Sequence, residues 1–245
     1  MKKLVVANWK MQLNIKNSLI LAKKISQFNK YKSEVVICPD YTSLLLIAHI
    51  LKKSKVFLGA QDSAINDYGA YTGEVSPLNL KTLGVKYVII GHSERREHLH
   101  ENSAVINAKI IAALNTNLIP ILCVGEKLVE KEEGKTKSFL SEELRRALKN
   151  VKIKKASDLI IAYEPVWAIS TNKASRSMAP SEADITQEFI KNRVAKILKK
   201  NIRVLYGGSV NLNNASDFLK QKNVDGLLIG AASLNFNDFS AICSI

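Results

Sequence analysis

The chain has 245 residues, 47% hydrophobic and 24% charged, and its 36 Lys+Arg against 22 Asp+Glu give a formal net charge of +14. This is the profile of a soluble, cored protein and excludes a disordered one, while no apolar run approaches the roughly eighteen residues of a membrane helix. Cys38, Cys123 and Cys243 are odd in number, far apart and without a CxxC pair, which excludes a disulfide framework and a zinc site.

In chain order, short β-branched runs alternate with longer amphipathic ones. The opening "MKKLVVANWKM" has two lysines, but its apolar stretch breaks at Asn8, too soon for a secretory signal, so a cytoplasmic location is expected. The predicted strands are "LVVAN" (4–8), "EVVICP" (34–39), "VFLGAQ" (56–61), "YVIIGH" (87–92), "IPILCVGE" (119–126), "LIIAYE" (159–164), "RVLYGG" (203–208) and "VDGLLIG" (224–230). Their near-continuous apolarity suits parallel strands covered on both faces. Between the sixth and seventh runs, "SEADITQEFIKNRVAKILKK" puts Ile190, Val194, Ile197 and Leu198 on one helix face. Ser181-x-x-Asp184, just after Pro180, fits a capping box there. No Pro/Gly/Ser-rich linker divides the chain, so one domain over 1–245 is expected. Strand starts recur about every 20 to 45 residues, the span of a βα unit. Eight such units favour a closed (β/α)8 barrel over an open doubly wound sheet, although periodicity alone allows both.

The polar residues collect at the C-terminal ends of these runs. Asn8 and Lys10 follow the first, His92 the fourth and Glu164 the sixth; Gly207, Gly208 and Ser209 follow the seventh, and Gly230 ends the eighth. In a parallel barrel all these ends open on one face, where active sites are built. Each residue taken singly has an ordinary explanation as a loop or surface group. As a set, a carboxylate, an imidazole and an ammonium without a metal cluster suit proton abstraction beside a carbonyl. Glu164 is then the base, His92 the donor to a developing oxyanion and Lys10 the stabilising cation. The glycine-rich turns after the seventh and eighth runs can offer backbone N–H groups to a phosphate. The lysines of "AKKIS", "LKKSK", "KIKKAS" and "ILKKN" have no aromatic interleaving, so a solvated basic surface is favoured over a nucleic-acid site.

"ANWKM", "GAYTGEVSP", "GHSERR", "PILCVGE", "AYEPVWAIS", "YGGSV" and "LLIGAASL" together resemble the triosephosphate isomerase family in order and spacing, from Asn8 to about Leu234. The resemblance implies a single-domain (β/α)8 (TIM) barrel interconverting dihydroxyacetone phosphate and glyceraldehyde 3-phosphate. It implies Glu164 as base, neutral His92 as electrophile, Lys10 as cation and Asn8 in the site floor. Glu94 is implied either as the carboxylate against the lysine or as a structural partner of Arg95. Substrate contacts are implied at Asn8, Lys10, Ser170, Ser209, Gly230 and Ala231. The lid is implied over Pro165, Val166, Trp167, Ala168, Ile169, Ser170, Thr171, Asn172 and Lys173, with Val166 and Ile169 lining a dry wall. Such a wall is expected to strip water from Glu164 and make it more basic. The resemblance calls for no cofactor, metal or membrane. It implies a homodimer built through the loop around Thr72, with Gln12, Asp62 and Tyr71 near the contact. The chain departs from the family where Ser170, Thr171 and Asn172 stand in a lid tip usually reading "AIGTG", and where Ala231 replaces a glycine; altered lid rates are expected.

Overall fold

The computed structural model describes residues 2–169 and 177–245. Eight parallel strands are present: β1 Leu4–Asn8, β2 Glu34–Cys38, β3 Phe57–Ala60, β4 Tyr87–Ile90, β5 Ile119–Val124, β6 Ile160–Tyr163, β7 Arg203–Tyr206 and β8 Gly226–Ile229. All eight predicted runs are strands, each coinciding with its run or shorter by one to three residues. Gly91, for example, leaves β4 with φ 71°, a left-handed turn that ends the extended backbone. Each strand pairs with the next, and Leu4↔Gly226 through Ala7↔Ile229 joins β8 back to β1. That last pairing closes the barrel and removes the open-sheet alternative.

Side-chain alternation divides the core into two layers. Leu4, Val6, Val36, Cys38, Tyr87, Ile89, Ile121, Cys123, Ile160, Ala162, Leu205 and Leu228 form a cluster of strand residues only, which is the barrel interior. Val5, Ala7, Val35, Ile37, Val88, Ile90, Leu122, Ile161, Val204 and Ile229 share the other cluster with helix residues such as Ile25, Ile47, Ile110 and Leu144. Each large side chain removed from water in this way is worth about 1.5–3 kcal/mol, so the strand directions, and the face they open on, are strongly determined.

Helix starts are set by short polar side chains. Asn14 accepts the N–H of Asn17 before the helix Ile15–Gln27, Asp40 that of Ser43 before Tyr41–Leu51, and Asn102 those of Ala104 and Val105 before Ser103–Asn115. The expected capping box at Ser181 is not formed. Pro180 occupies the first helical position of Pro180–Leu198 with Ala179 as the cap, which puts Ser181 inside the helix. Asp184 instead accepts from the backbone and side-chain nitrogens of Asn223. The apolar face is as expected: Ile190 and Val194 are buried, with Ile197 and Leu198 packed against the core.

Candidate active site

The first element of the site is a strained lysine. Lys10, two residues past the end of β1, has φ 52°, a left-handed conformation costing a non-glycine residue about 1–2 kcal/mol. Its surroundings hold it there. Lys10 N donates to Asn8 Oδ1 at 3.2 Å. Gln61 Nε2, just past β3, donates to the carbonyl oxygens of Lys10 (2.9 Å) and Cys38 (3.0 Å). The ammonium is thereby aimed at Glu94, with Nζ 2.6 Å from Oε1. Of the two alternatives for Glu94, the lysine contact is the one present; Arg95 turns away to Asp62 (2.8 Å) and Glu101 (2.7 Å).

His92 follows Gly91 and caps the helix Ser93–His98, where its Nδ1 accepts the N–H of Glu94 at 3.2 Å. The ring is 5% exposed, and its Nε2 lies 3.4 Å from Glu164 Oε1. Burial lowers its pKa, but Glu164 and Glu94 raise it, and the net direction is upward while Glu164 is ionised beside it. Geometry decides which proton the ring carries. A nitrogen that accepts an N–H holds no proton itself, so this arrangement describes a neutral imidazole with its proton on Nε2.

Glu164 comes directly after β6, with its N–H on Val124 O at 2.8 Å. Two glycines make room for it. A Cβ on Gly207 would fall 2.5 Å from Glu164 Cγ, and one on Gly125 1.8 Å from its carbonyl oxygen. The carboxylate is 6% exposed, and its Oε2 has no hydrogen-bond partner. The expectation that burial makes it more basic needs correcting. Burial does push the pKa up, but His92, the Cys123 thiol and Lys10 together pull it below the usual glutamate range. In this arrangement the carboxylate is therefore held ionised.

The described part of the implied lid is anchored at both edges. Pro165 leads into a short 3-10 turn, Val166–Ala168. Trp167 is buried, with Nε1 donating to Glu126 Oε1 at 2.9 Å, and Tyr163 Oη donates to the same carboxylate at 3.1 Å. Val166 shares with Glu164 the lining of a small cavity of about 20 Å3; Ile169 is half-buried. Ser170, Thr171, Asn172 and Lys173 lie outside the described residues.

The expected phosphate donors are only partly free. Ser209 N and Oγ both donate to the Ala168 carbonyl, at 2.9 and 2.8 Å, and Gly207 N donates to Tyr163 O at 2.8 Å. Those N–H groups, predicted to be bare, are used here, at Ser209 by the base of the lid and at Gly207 by the end of β6. Gly230 faces the site: a Cβ on it would lie 3.7 Å from Lys10 Cε. Ala231 is exposed and opens the turn Ala231–Leu234.

The sequence reading missed several supporting groups: Gln61 under Lys10, the Cys123 thiol beside Glu164, and Glu126 under the lid. Glu126 ends the run "IPILCVGE" in the same way that Glu164 ends "LIIAYE", so the strand-end rule could have found it. Gln61 and Cys123 carried no such signal. Among the described residues no group of three or more His, Cys, Asp and Glu side chains is placed to hold a metal ion, and no helix is long and apolar enough to cross a membrane.

From β1, β4 and β6 the side chains meet in one continuous series, Lys10–Glu94–His92–Glu164, with contacts of 2.6, 3.7 and 3.4 Å. Comparison with known proteins agrees with this geometry. The chain is 41% identical over 241 residues to the triosephosphate isomerase of Dictyoglomus thermophilum, covering 97% of each chain. It is 42% identical to that of Dehalococcoides mccartyi, over 99% of this chain and 96% of the other. The crystal structure of triosephosphate isomerase from Bartonella henselae superimposes with a TM-score of 0.89 at 35% identity, covering 99% of this chain and 98% of that one. The family model for triosephosphate isomerase matches residues 3–245, and the chain belongs to the triosephosphate isomerase family.

Proposed function

We propose that the protein interconverts dihydroxyacetone phosphate and D-glyceraldehyde 3-phosphate through an enediolate, as a step of glycolysis and gluconeogenesis. Glu164 removes a proton from the carbon beside the carbonyl. Neutral His92 donates from Nε2 to the oxygen on which charge develops, and Lys10 stabilises that charge. The proton held by Glu164 then returns to the neighbouring carbon, and the two oxygens exchange their proton through His92, so no net charge or atom is lost. The observation that carries this reading is Glu164 itself: a buried carboxylate with one oxygen unpartnered and the other 3.4 Å from an imidazole nitrogen. An ionised base is needed at the start of the reaction, and the lowered pKa of Glu164 supplies one. Substrate entering between Glu164 and His92 would replace their mutual contact, and lid closure would exclude the water that opposes proton transfer from carbon.

Closure has a structural requirement. The Ala168 carbonyl must leave Ser209 before the Ser209 N–H can face a phosphate, so Ser209 acts as a latch on Ala168 as well as a substrate contact. Ser170, Gly230 and Ala231 complete the phosphate contacts in this reading. The decisive experiment is a coupled assay on glyceraldehyde 3-phosphate with wild type and Glu164→Gln side by side. A wild type no faster than the variant sinks the assignment.

A homodimer is part of the proposal. The loop 61–76 is long for a compact barrel and carries exposed Ile65, Tyr68 and Tyr71 around Thr72, while Met11, next to Lys10, is 93% exposed. Exposed apolar side chains on a long loop, and one next to the catalytic lysine, are suited to a partner subunit. The loop root is held by a buried ion network in which Lys109 Nζ lies 2.6 Å from Asp62 and 2.5 Å from Glu101. Sedimentation at micromolar concentration tests this: a fully active monomer removes the requirement. A cytoplasmic location accompanies this reading.

A further inference from the structure

The segment "GHSERR" contributes His92 and Glu94 to the site and Arg95 to the loop root, and its last residue has a separate set of partners. Arg96 Nε donates to the Gly91 carbonyl at 2.7 Å, and one terminal nitrogen donates to the Cys123 carbonyl at 2.9 Å. The other terminal nitrogen is 3.1 Å from Glu143 Oε1. Glu143, on the helix Thr136–Ala147, uses its second oxygen to accept the Gly125 N–H at 3.0 Å. One guanidinium and one carboxylate thus hold three backbone groups, from the ends of two strands.

Those three groups adjoin the chemistry. Gly91 immediately precedes His92, Cys123 is beside Glu164, and Gly125 packs against the Glu164 carbonyl. The last residue pair of the β4–β5 ladder is Ile90↔Leu122. Beyond it the ladder no longer fixes the two chain ends relative to each other, and the Arg96 fork spans them. Arg96 and Glu164 also line the same cavity of about 20 Å3. A guanidinium presents its donors in a rigid plane, whereas an ammonium on a flexible stem cannot hold two carbonyls and a carboxylate in a fixed relation.

We propose that the Arg96–Glu143 pair is the positioning element that sets His92 Nε2 against Glu164, by clasping the ends of β4 and β5 from outside the barrel. Neither residue touches the reacting atoms; both act through Gly91, Cys123 and Gly125. The kinetic consequence rests on the catalytic reading above, while the structural claim does not. On its outer side the pair borders a cavity of about 540 Å3, lined also by Phe139, Ser138 and Arg146, so the site of the guanidinium can be reached from the surface.

The test uses the full-length protein with Arg96→Lys, Arg96→Ala, Glu143→Gln and Glu143→Ala. Displacing catalytic groups by about an ångström costs up to about 100-fold, so Arg96→Lys is expected to lose about 10- to 100-fold in kcat with KM changed by less than about threefold. Glu143→Gln keeps an acceptor for the Gly125 N–H and should lose less than Glu143→Ala. Free guanidinium at low millimolar concentration should restore part of the kcat of Arg96→Ala, an effect that a purely stabilising role does not produce. The nitrogen chemical shifts of His92 should move in Arg96→Lys, whether or not the enzyme turns over. If Arg96→Ala does not fold, Arg96→Lys and the Glu143 pair decide the matter. Wild-type kcat, pH profile and His92 shifts in Arg96→Lys, with any loss confined to thermal stability, overturn the proposal. An inactive wild type with shifted His92 signals in the variant would instead overturn the catalytic reading and leave the clasp standing.

Discussion

Lys10 and Lys199 have almost the same unusual backbone angle, φ 52° and 55°, at opposite ends of the barrel. Lys10 lies past the C-terminal end of β1, partly buried, with its backbone held by Asn8 and Gln61 and its ammonium on Glu94. Lys199 follows the helix Pro180–Leu198 as its cap, exposed, with its N–H on Ala195 O. One left-handed lysine is held by Asn8, Gln61 and Glu94 and aims a charge into the site; the other simply ends a helix. The contrast extends to the two faces. The loops entering β3, β6 and β7 carry exposed Lys52, Lys53, Lys55, Lys152, Lys154, Lys155, Lys199 and Lys200, while the loops leaving β1, β4 and β6 carry the buried or strained polar groups. Strain and burial of polar groups cost stability and persist where the surroundings enforce them; solvated lysines cost almost nothing.

The contrast can be broken experimentally, and the largest effect belongs to Glu164. Glu164→Gln should lower kcat by at least about 1000-fold, within the range for a positioned base, while thermal unfolding changes little, because the amide keeps an oxygen for His92 and a buried charge has been removed. Lys10→Gly comes next. It relaxes the backbone and removes the ammonium, so kcat should fall about 100-fold or more with stability held or raised. A lysine whose loss left kcat intact would place Lys10 with the surface lysines.

Two glycines compare the faces through packing. A Cβ on Gly125 would fall 1.8 Å from Glu164 O, and one on Gly226, at the start of β8, 1.9 Å from Leu4 O. Both alanine variants should be destabilised by about 1–3 kcal/mol, the scale of forced overpacking. Only Gly125→Ala should also lose kcat, measured on the folded fraction; equal kinetic loss in both would mean that the barrel transmits strain from end to end.

A smaller effect concerns pH. Burial pushes the Asp62 carboxyl up to about 6, against the pull of Lys109 and Arg95 and with Glu101 adding to the rise. The folded pKa lies above the unfolded one. The contribution of this group is therefore full below about pH 4, and it is lost as pH rises through about 6. Asp62→Asn should remove that decline, so urea midpoints of variant and wild type should shift in favour of the variant between those pH values. A constant difference across the window would contradict the sign. The smallest effect is at Lys199: Lys199→Gly should raise stability by less than about 1 kcal/mol with kcat unchanged.

The eight strands were legible because each is a short apolar run of both-face burial, and that pattern survives any change of surface. Their ends were less legible, because Pro39, Gly91 and Gly125 remain apolar or small while the backbone turns. The helix start at Ser181 misled because Pro180 takes the first helical position, which puts the cap at Ala179, two residues earlier than a capping-box pattern implies. Lys10, His92 and Glu164 were legible as a set once the strands were taken as parallel. The basicity of Glu164 was read with the wrong sign: burial is visible in an apolar sequence, whereas a neighbouring imidazole, thiol and ammonium are not.

By itself the sequence determined the strand pattern, the parallel βα repeat and the family, since apolar periodicity and motif spacing are properties of the chain read in order. Barrel closure between β8 and β1, the Lys10–Glu94–His92–Glu164 series and the Arg96–Glu143 clasp were decided only in three dimensions. They join residues as many as 222 positions apart, and contact energies of an ångström's range depend on where the folded backbone places each atom, about which the linear order is silent.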